Sequence, residues 1–140
     1  AVYNKYGDPV VSVETVPKKD VKHYGVIDGK KIGDRLYEVN GTVEKPSPEK
    51  TPSRQSIAGK YILTPDVFKV MKKMKPINGE IGCTETFGEY AKTKAAYALE
   101  PKGARYDCGS RLGYLKATVA YALEHPETKI GFKAYLKNLK

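Results

Sequence analysis

Cysteine is scarce in this chain of 140 residues: Cys83 and Cys108 are too few for a disulfide framework, and Cys108 has no partner at metal-ligand spacing. The two histidines, His23 and His125, stand far apart with no triad context, so surface or turn roles are expected for both. No apolar run approaches the length that crosses a bilayer, and no membrane partner is indicated. No charged-then-apolar leader opens the sequence. A reduced, cytoplasmic protein is therefore expected. Arginine is also sparse, with 4 residues against 21 lysines, although the net charge is +9. Phosphate backbones are bound by clustered cations, usually with arginine prominent and aromatics interleaved. Here the lysines are scattered, and the denser groups (Lys18-Lys19 with Lys22, Lys30-Lys31, Lys72-Lys73 with Lys75) are assigned to loops and helix surfaces. A solvated lysine surface is favoured over a nucleic-acid interface, with a general attraction for anionic ligands compatible with either.

The length suits one domain, 1–140, able to bury a respectable core. No internal repeat or low-complexity segment is visible. Residues 1–6 read as the end of a helix stopped by Gly7. Valine-rich alternation predicts a strand over 10–16, a short helical turn follows Pro17, and Tyr24 to Ile27 reads as a second strand. Asp28-Gly29 is a hairpin signal, and Asn40-Gly41 predicts a turn between paired segments at 36–39 and 42–45, together a small β-arm. The proline-bearing stretch 46–52 is a loop, and 56–63 is strand-like. Thr64-Pro65-Asp66 then opens a helix, because threonine caps, proline suits the first turn and aspartate favours the positive end. Its apolar stripe is Val67, Val70, Met71 and Met74, with the methionines read as core filling. Residues 77–81 form a connector, 84–91 a short helix, and 95–99 and 104–107 two strands. Helical spacing over Leu112, Leu115, Val119, Ala122 and Leu123 predicts a helix ended by His125-Pro126, and Phe132 to Leu139 marks a last one. The class is α/β: a mixed sheet with a β-arm and C-terminal helices.

Two places combine charge with a break in regular structure. In Thr42-Val43-Glu44-Lys45-Pro46 an adjacent carboxylate and ammonium meet a proline. On a strand they point to opposite faces, so one can accept from hydroxyls while the other meets a phosphate. The bland reading is an ordinary exposed ion pair. In Arg105-Tyr106-Asp107-Cys108-Gly109, Asp107 stands at a strand end where it can hold a hard cation through oxygen, or simply cap the following turn. Gly25 either bends the backbone or leaves room for a ligand close to the main chain. Tyr61 is either core or pocket lining. Together these suggest a site for a phosphorylated sugar and a metal.

In their order and spacing, Tyr24-Gly25-Val26-Ile27-Asp28, Val43-Glu44-Lys45-Pro46-Ser47-Pro48, Gly59-Lys60-Tyr61-Ile62-Leu63-Thr64-Pro65, Arg105-Tyr106-Asp107-Cys108-Gly109 and Leu112-Gly113-Tyr114-Leu115-Lys116-Ala117-Thr118-Val119 resemble the C-terminal half of bacterial UTP–glucose-1-phosphate uridylyltransferases, the UDP-glucose pyrophosphorylases. The resemblance runs nearly end to end. It implies the sugar-binding half of a Rossmann-like nucleotidyltransferase fold, with the N-terminal half, its Gly-rich nucleotide loop and a second metal-binding aspartate absent. It further implies that Glu44 bonds sugar hydroxyls, Lys45 contacts sugar phosphate, Gly25 lies against the sugar, Tyr61 lines its pocket and Asp107 helps hold Mg2+. The implied ligands are UDP-glucose or glucose-1-phosphate, with UTP bound through the missing half. The implied reaction is glucose-1-phosphate plus UTP to UDP-glucose plus pyrophosphate, with negligible activity from this half alone. Self-association is expected where the missing half would cover apolar surface. Two departures bear on site geometry and substrate preference: Gly82-Cys83-Thr84-Glu85 replaces the usual Gln-Leu-Thr-Asp, and Lys60 replaces an arginine. The alternatives are a non-catalytic sugar-phosphate-binding or interaction module and, more weakly, a basic nucleic-acid-binding protein.

Overall fold

The computed structural model describes residues 2–77 and 79–139, and within these limits the chain packs as two compact units, Ala1–Pro101 and Lys102–Lys140. The single 1–140 domain read from the sequence is thus divided at Pro101-Lys102-Gly103, an exposed segment outside the helices and strands.

The first unit is a mixed sheet with helices, as the α/β reading requires. Its elements are α1 (Val2–Tyr6), β1 (Val10–Thr15), a 3-10 turn (Lys18–His23), β2 (Gly25–Gly33), β3 (Leu36–Glu44), β4 (Gln55–Ile62), α2 (Pro65–Met71), α3 (Cys83–Ala91) and β5 (Tyr97–Leu99). The strands close into a barrel in the order β1-β4-β2-β3-β5, and β5 returns to pair in parallel with β1. All other pairings are antiparallel. Val11, Val13, Ile27, Val39, Ile57, Val67 and Phe87 are buried together between the strands and the two helices. These β-branched and aromatic side chains suit a pleated, buried surface.

The β-arm is built differently from its prediction. Asp28-Gly29 lies inside β2 and Asn40-Gly41 inside β3. Asp28 pairs with Gly41 and Gly29 with Val39, so Asn40 is an extra residue absorbed as a bulge rather than a turn. Cross-strand pairing along nine-residue strands outweighs the local turn propensity of Asn-Gly. The chain reverses instead at Asp34-Arg35, with Arg35 at φ 53°. Lys30 and Lys31 accordingly sit on a strand, not in a loop.

Helix α2 begins where predicted, yet the Thr64 hydroxyl makes no capping bond and is buried without a partner. It ends at Met71, leaving Met74 in the turn beyond. Asp66 in its first turn bonds both Lys69 and Lys94, at 2.7 and 2.9 Å. These two ammonium groups hold its carboxyl at about 2, below the ordinary 3.8. The predicted connector 77–81 includes Asn78, which lies outside the described residues.

The second unit contains α4 (Arg111–Glu124) and α5 (Lys129–Asn138), packed on one another. Residues 104–107 do not form the predicted strand. Ser110 caps α4, its hydroxyl accepting from the Gly113 amide at 3.0 Å. Among the described residues of this unit only Ala117 is buried, whereas Leu112, Leu115 and Ile130 are exposed. Among the described residues, no helix is long and apolar enough to cross a membrane.

Candidate functional site

Four elements of the first unit converge where β2 begins and β3 ends. Gly25, the first residue of β2, pairs with Glu44, the last of β3. Lys45 follows directly, its amide donating to the Tyr24 carbonyl at 3.0 Å. Tyr61 comes from the end of β4, half-buried with its ring 5.9 Å from that of Phe87. Helix α3 completes the group with Thr84 and Glu85 in its first turn. It reaches β3 closely because Gly88 has no side chain: a Cβ there would lie 2.8 Å from the Thr42 backbone nitrogen. The Thr42 hydroxyl then donates to the Thr84 carbonyl at 2.8 Å.

The opposed placement expected for Glu44 and Lys45 does not hold. Lys45 lies beyond the strand with φ 48°, a left-handed conformation that breaks the alternation of side chains. Its ammonium is 3.7 Å from a Glu44 carboxylate oxygen, and its side chain is 63% exposed. An exposed pair at that distance contributes little, roughly 0–1 kcal/mol, so the ammonium can exchange it for a better anion.

Gly25 is buried, and its smallness is required by the protein itself. A methyl there would lie 2.7 Å from Thr84 Cγ2, 2.8 Å from Thr84 Oγ1 and 2.8 Å from Glu44 Oε2. Thr84 therefore belongs to the wall of this site, although its residue type at a helix start reads as a cap. The cap position is occupied by Gly82 instead. Burial holds the Tyr61 phenol above its ordinary range, a hydrogen bond with the Thr84 side chain opposes this, and Cys83, Glu44 and Glu85 push it further up. Tyr61 is thus a neutral donor and acceptor at neutral pH. One carboxylate, one phenol, one hydroxyl and one exposed ammonium form a set that suits a polyol bearing a phosphate.

Asp107 belongs to the second unit. Its Oδ1 accepts from the Gly109 amide at 3.1 Å and its carbonyl from the Ser110 hydroxyl at 3.2 Å, so it forms the turn leading into α4. It stands in that turn and not at a strand end. Among the described residues no group of three or more His, Cys, Asp or Glu could hold a metal ion. A single carboxylate fits one position of a magnesium shell, which takes one or two protein carboxylates and fills the rest with phosphate and water.

The mixed sheet and helices of the first unit agree with comparison to known families. The family model described as nucleotidyl transferase matches residues 2–124, and the chain belongs to that family. Within it, the chain is 42% identical over 139 residues to a UTP–glucose-1-phosphate uridylyltransferase of Streptococcus pneumoniae, covering 98% of this chain and 46% of the relative. It is 41% identical over 140 residues to that of Streptococcus pyogenes, at the same coverage of 98% and 46%. Among solved structures, UDP-glucose pyrophosphorylase complexed with UDP-glucose superposes with a TM-score of 0.82 at 42% identity, over 89% of this chain and 48% of the other. The UTP-bound enzyme of Acinetobacter baumannii gives 0.87 at 33% identity, over 99% and 48%. The chain spans about half the length of these relatives.

Proposed function

We propose that this chain is the sugar-side half of a UTP–glucose-1-phosphate uridylyltransferase. What supports the reading is the adjacency of Gly25, Glu44 and Lys45 where β2 begins and β3 ends, in a chain of the nucleotidyl transferase family. Glu44 accepts hydrogen bonds from the glucose hydroxyls. Tyr61 offers a neutral phenol to the same ring. Lys45 leaves its loose pair with Glu44 and takes the sugar phosphate.

In the reaction a phosphate oxygen of glucose-1-phosphate attacks the α-phosphorus of UTP. The new P–O bond forms as the bond to the bridging oxygen breaks, and that oxygen leaves with its electron pair in pyrophosphate. No covalent enzyme intermediate is required, so the protein contributes positioning and electrostatics. Lys45 holds the attacking phosphate in place, and Glu44 and Tyr61 keep the sugar from turning. Asp107 would supply one oxygen ligand to Mg2+, which when bound neutralises charge on the phosphates. The triphosphate and base contacts come from sequence beyond this chain, so it binds sugar nucleotide weakly and does not turn over alone. Two free, exposed thiols, Cys83 and Cys108, suit a reducing compartment.

The test is calorimetric titration with UDP-glucose and with glucose-1-phosphate. Saturable binding is expected, weakened about tenfold or more by Glu44→Ala and by Lys45→Ala, because each removes a charge-assisted contact. Equal affinity in the wild type and both variants would overturn the assignment.

A further inference from the structure

Helix α3 is seated on the sheet at two points one turn apart. At the first, the Thr84 side chain stands over Gly25: Thr84 Cγ2, Thr84 Oγ1 and Glu44 Oε2 all lie 2.7–2.8 Å from where a Gly25 Cβ would be. At the second, Gly88 lets the Thr42 backbone approach, so that a methyl on Gly88 would lie 2.8 Å from the Thr42 nitrogen. Between them the Thr42 hydroxyl donates to the Thr84 carbonyl at 2.8 Å, a part-buried bond from β3 to the first turn of α3. Thr84 and Gly88, four residues apart, share a face of the helix. Thr42 and Glu44, two residues apart on β3, both meet it: Thr42 through its hydroxyl, Glu44 through a carboxylate crowded against Thr84 over Gly25.

We propose that Thr42 is a positioning residue for the sugar ligand. Its hydroxyl pins the first turn of α3, and the Thr84 side chain so held confines the Glu44 carboxylate to the place where it meets the sugar hydroxyls. The proposal rests on the sugar-phosphate reading above. The ion pair of Glu44 with Lys45, at 3.7 Å, is loose and restrains the carboxylate weakly. A carboxylate on a flexible stem loses affinity when binding must order it, and a wall beside it removes part of that loss before the ligand arrives. Threonine suits the task, because its hydroxyl reaches the helix while its backbone stays paired with Ile27 in the sheet. Lys45, in its left-handed conformation beyond the strand, stands outside this device.

Thr42→Val keeps the branched shape that suits a strand and removes the hydroxyl, whereas Thr42→Ser keeps the hydroxyl. UDP-glucose is titrated into the wild-type chain, both variants, Glu44→Ala, Lys45→Ala and the two double variants that add Thr42→Val to each. Affinity is read from amide shifts by NMR, and melting is recorded throughout. Thr42→Val is expected to weaken binding about three- to tenfold, the worth of one long side chain ordered on binding. Thr42→Ser, which retains the bond, stays within about twofold of wild type. In the Glu44→Ala background Thr42→Val removes less than about twofold more, because no carboxylate is left to confine, whereas in Lys45→Ala its loss is undiminished. A threonine that serves the fold alone would lower melting and reduce affinity equally in both backgrounds. Wild-type affinity in Thr42→Val, an equal loss in Thr42→Ser, or an undiminished loss in the Glu44→Ala background each overturn the proposal while leaving the sugar-phosphate reading standing. Absence of wild-type binding, or wild-type affinity in both Glu44→Ala and Lys45→Ala, overturns both.

Discussion

Replacing Gly25 with alanine probes the tightest part of the site. The new methyl would sit 2.7–2.8 Å from three side-chain atoms, two on Thr84 and one on Glu44. Glu44 is the movable neighbour, being the free end of a flexible side chain. Thr84 is short, β-branched and held by its own carbonyl bond to Thr42, so it cannot retreat far. Overpacking of this kind costs about 1–3 kcal/mol. Loss of glycine's freedom in the unfolded chain returns about 0.4–1 kcal/mol. The expected net loss is about 1–2 kcal/mol, which lowers a urea midpoint by roughly 0.5–1 M at the usual slopes. Because the chain has no tryptophan, unfolding is followed by far-ultraviolet circular dichroism. Sugar-nucleotide affinity should fall in the same variant, since the carboxylate that gives way is the one proposed to meet the sugar. An unchanged midpoint with unchanged affinity would refute the crowding argument. Intact affinity with a lowered midpoint would assign Gly25 to the backbone alone.

Two further substitutions separate charge from fold. The Asp66 carboxyl is held at about 2 against an ordinary 3.8 by Lys69 and Lys94. Its contribution is therefore complete above the ordinary value and lost as pH falls through the folded one, so Asp66→Asn should flatten the acid limb of a stability–pH curve there. Identical limbs in both proteins would contradict this. Lys45 occupies left-handed space at φ 48°, which costs a residue with a Cβ about 1–2 kcal/mol. Lys45→Gly should therefore melt no lower than wild type while binding glucose-1-phosphate more weakly, and a lower melting point with intact affinity would reverse the assignment.

Elements with strong local signals were legible in the sequence. The valines of β1, the Thr64-Pro65-Asp66 opening of α2 and the apolar spacing of α4 each determine structure within a few residues. Barrel closure was not, because Val10 meets Tyr97 across most of the first unit and no local pattern encodes that parallel pairing. Asn40-Gly41 misled for the same reason: its turn propensity is real, but the register between β2 and β3 decides whether it becomes a turn or a bulge. Gly25, Glu44, Lys45 and Tyr61 were singled out as candidates through motif order, and all four lie in the first unit. Their mutual geometry was hidden, since the left-handed Lys45 overturns strand alternation. Thr84 was missed because threonine at a helix start suggests capping, and only the approach of α3 to Gly25 shows what its side chain touches. Asp107 before glycine reads as a turn former, and that is the bonding it makes in the second unit.

The half-enzyme account is tested most directly by a UDP-glucose synthesis assay over a Mg2+ series. It is run on the purified chain, on the nucleotide-binding half of a streptococcal relative, and on the two mixed. The account predicts no turnover from either part and measurable turnover from the mixture. Asp107→Asn should remove most of that turnover without changing the circular dichroism of the chain, since it deletes a metal-binding charge at nearly constant volume and keeps an oxygen for the Gly109 amide. Robust turnover by the chain alone would contradict the half-enzyme reading, and turnover of the mixture indifferent to Asp107→Asn would take that residue out of the metal site.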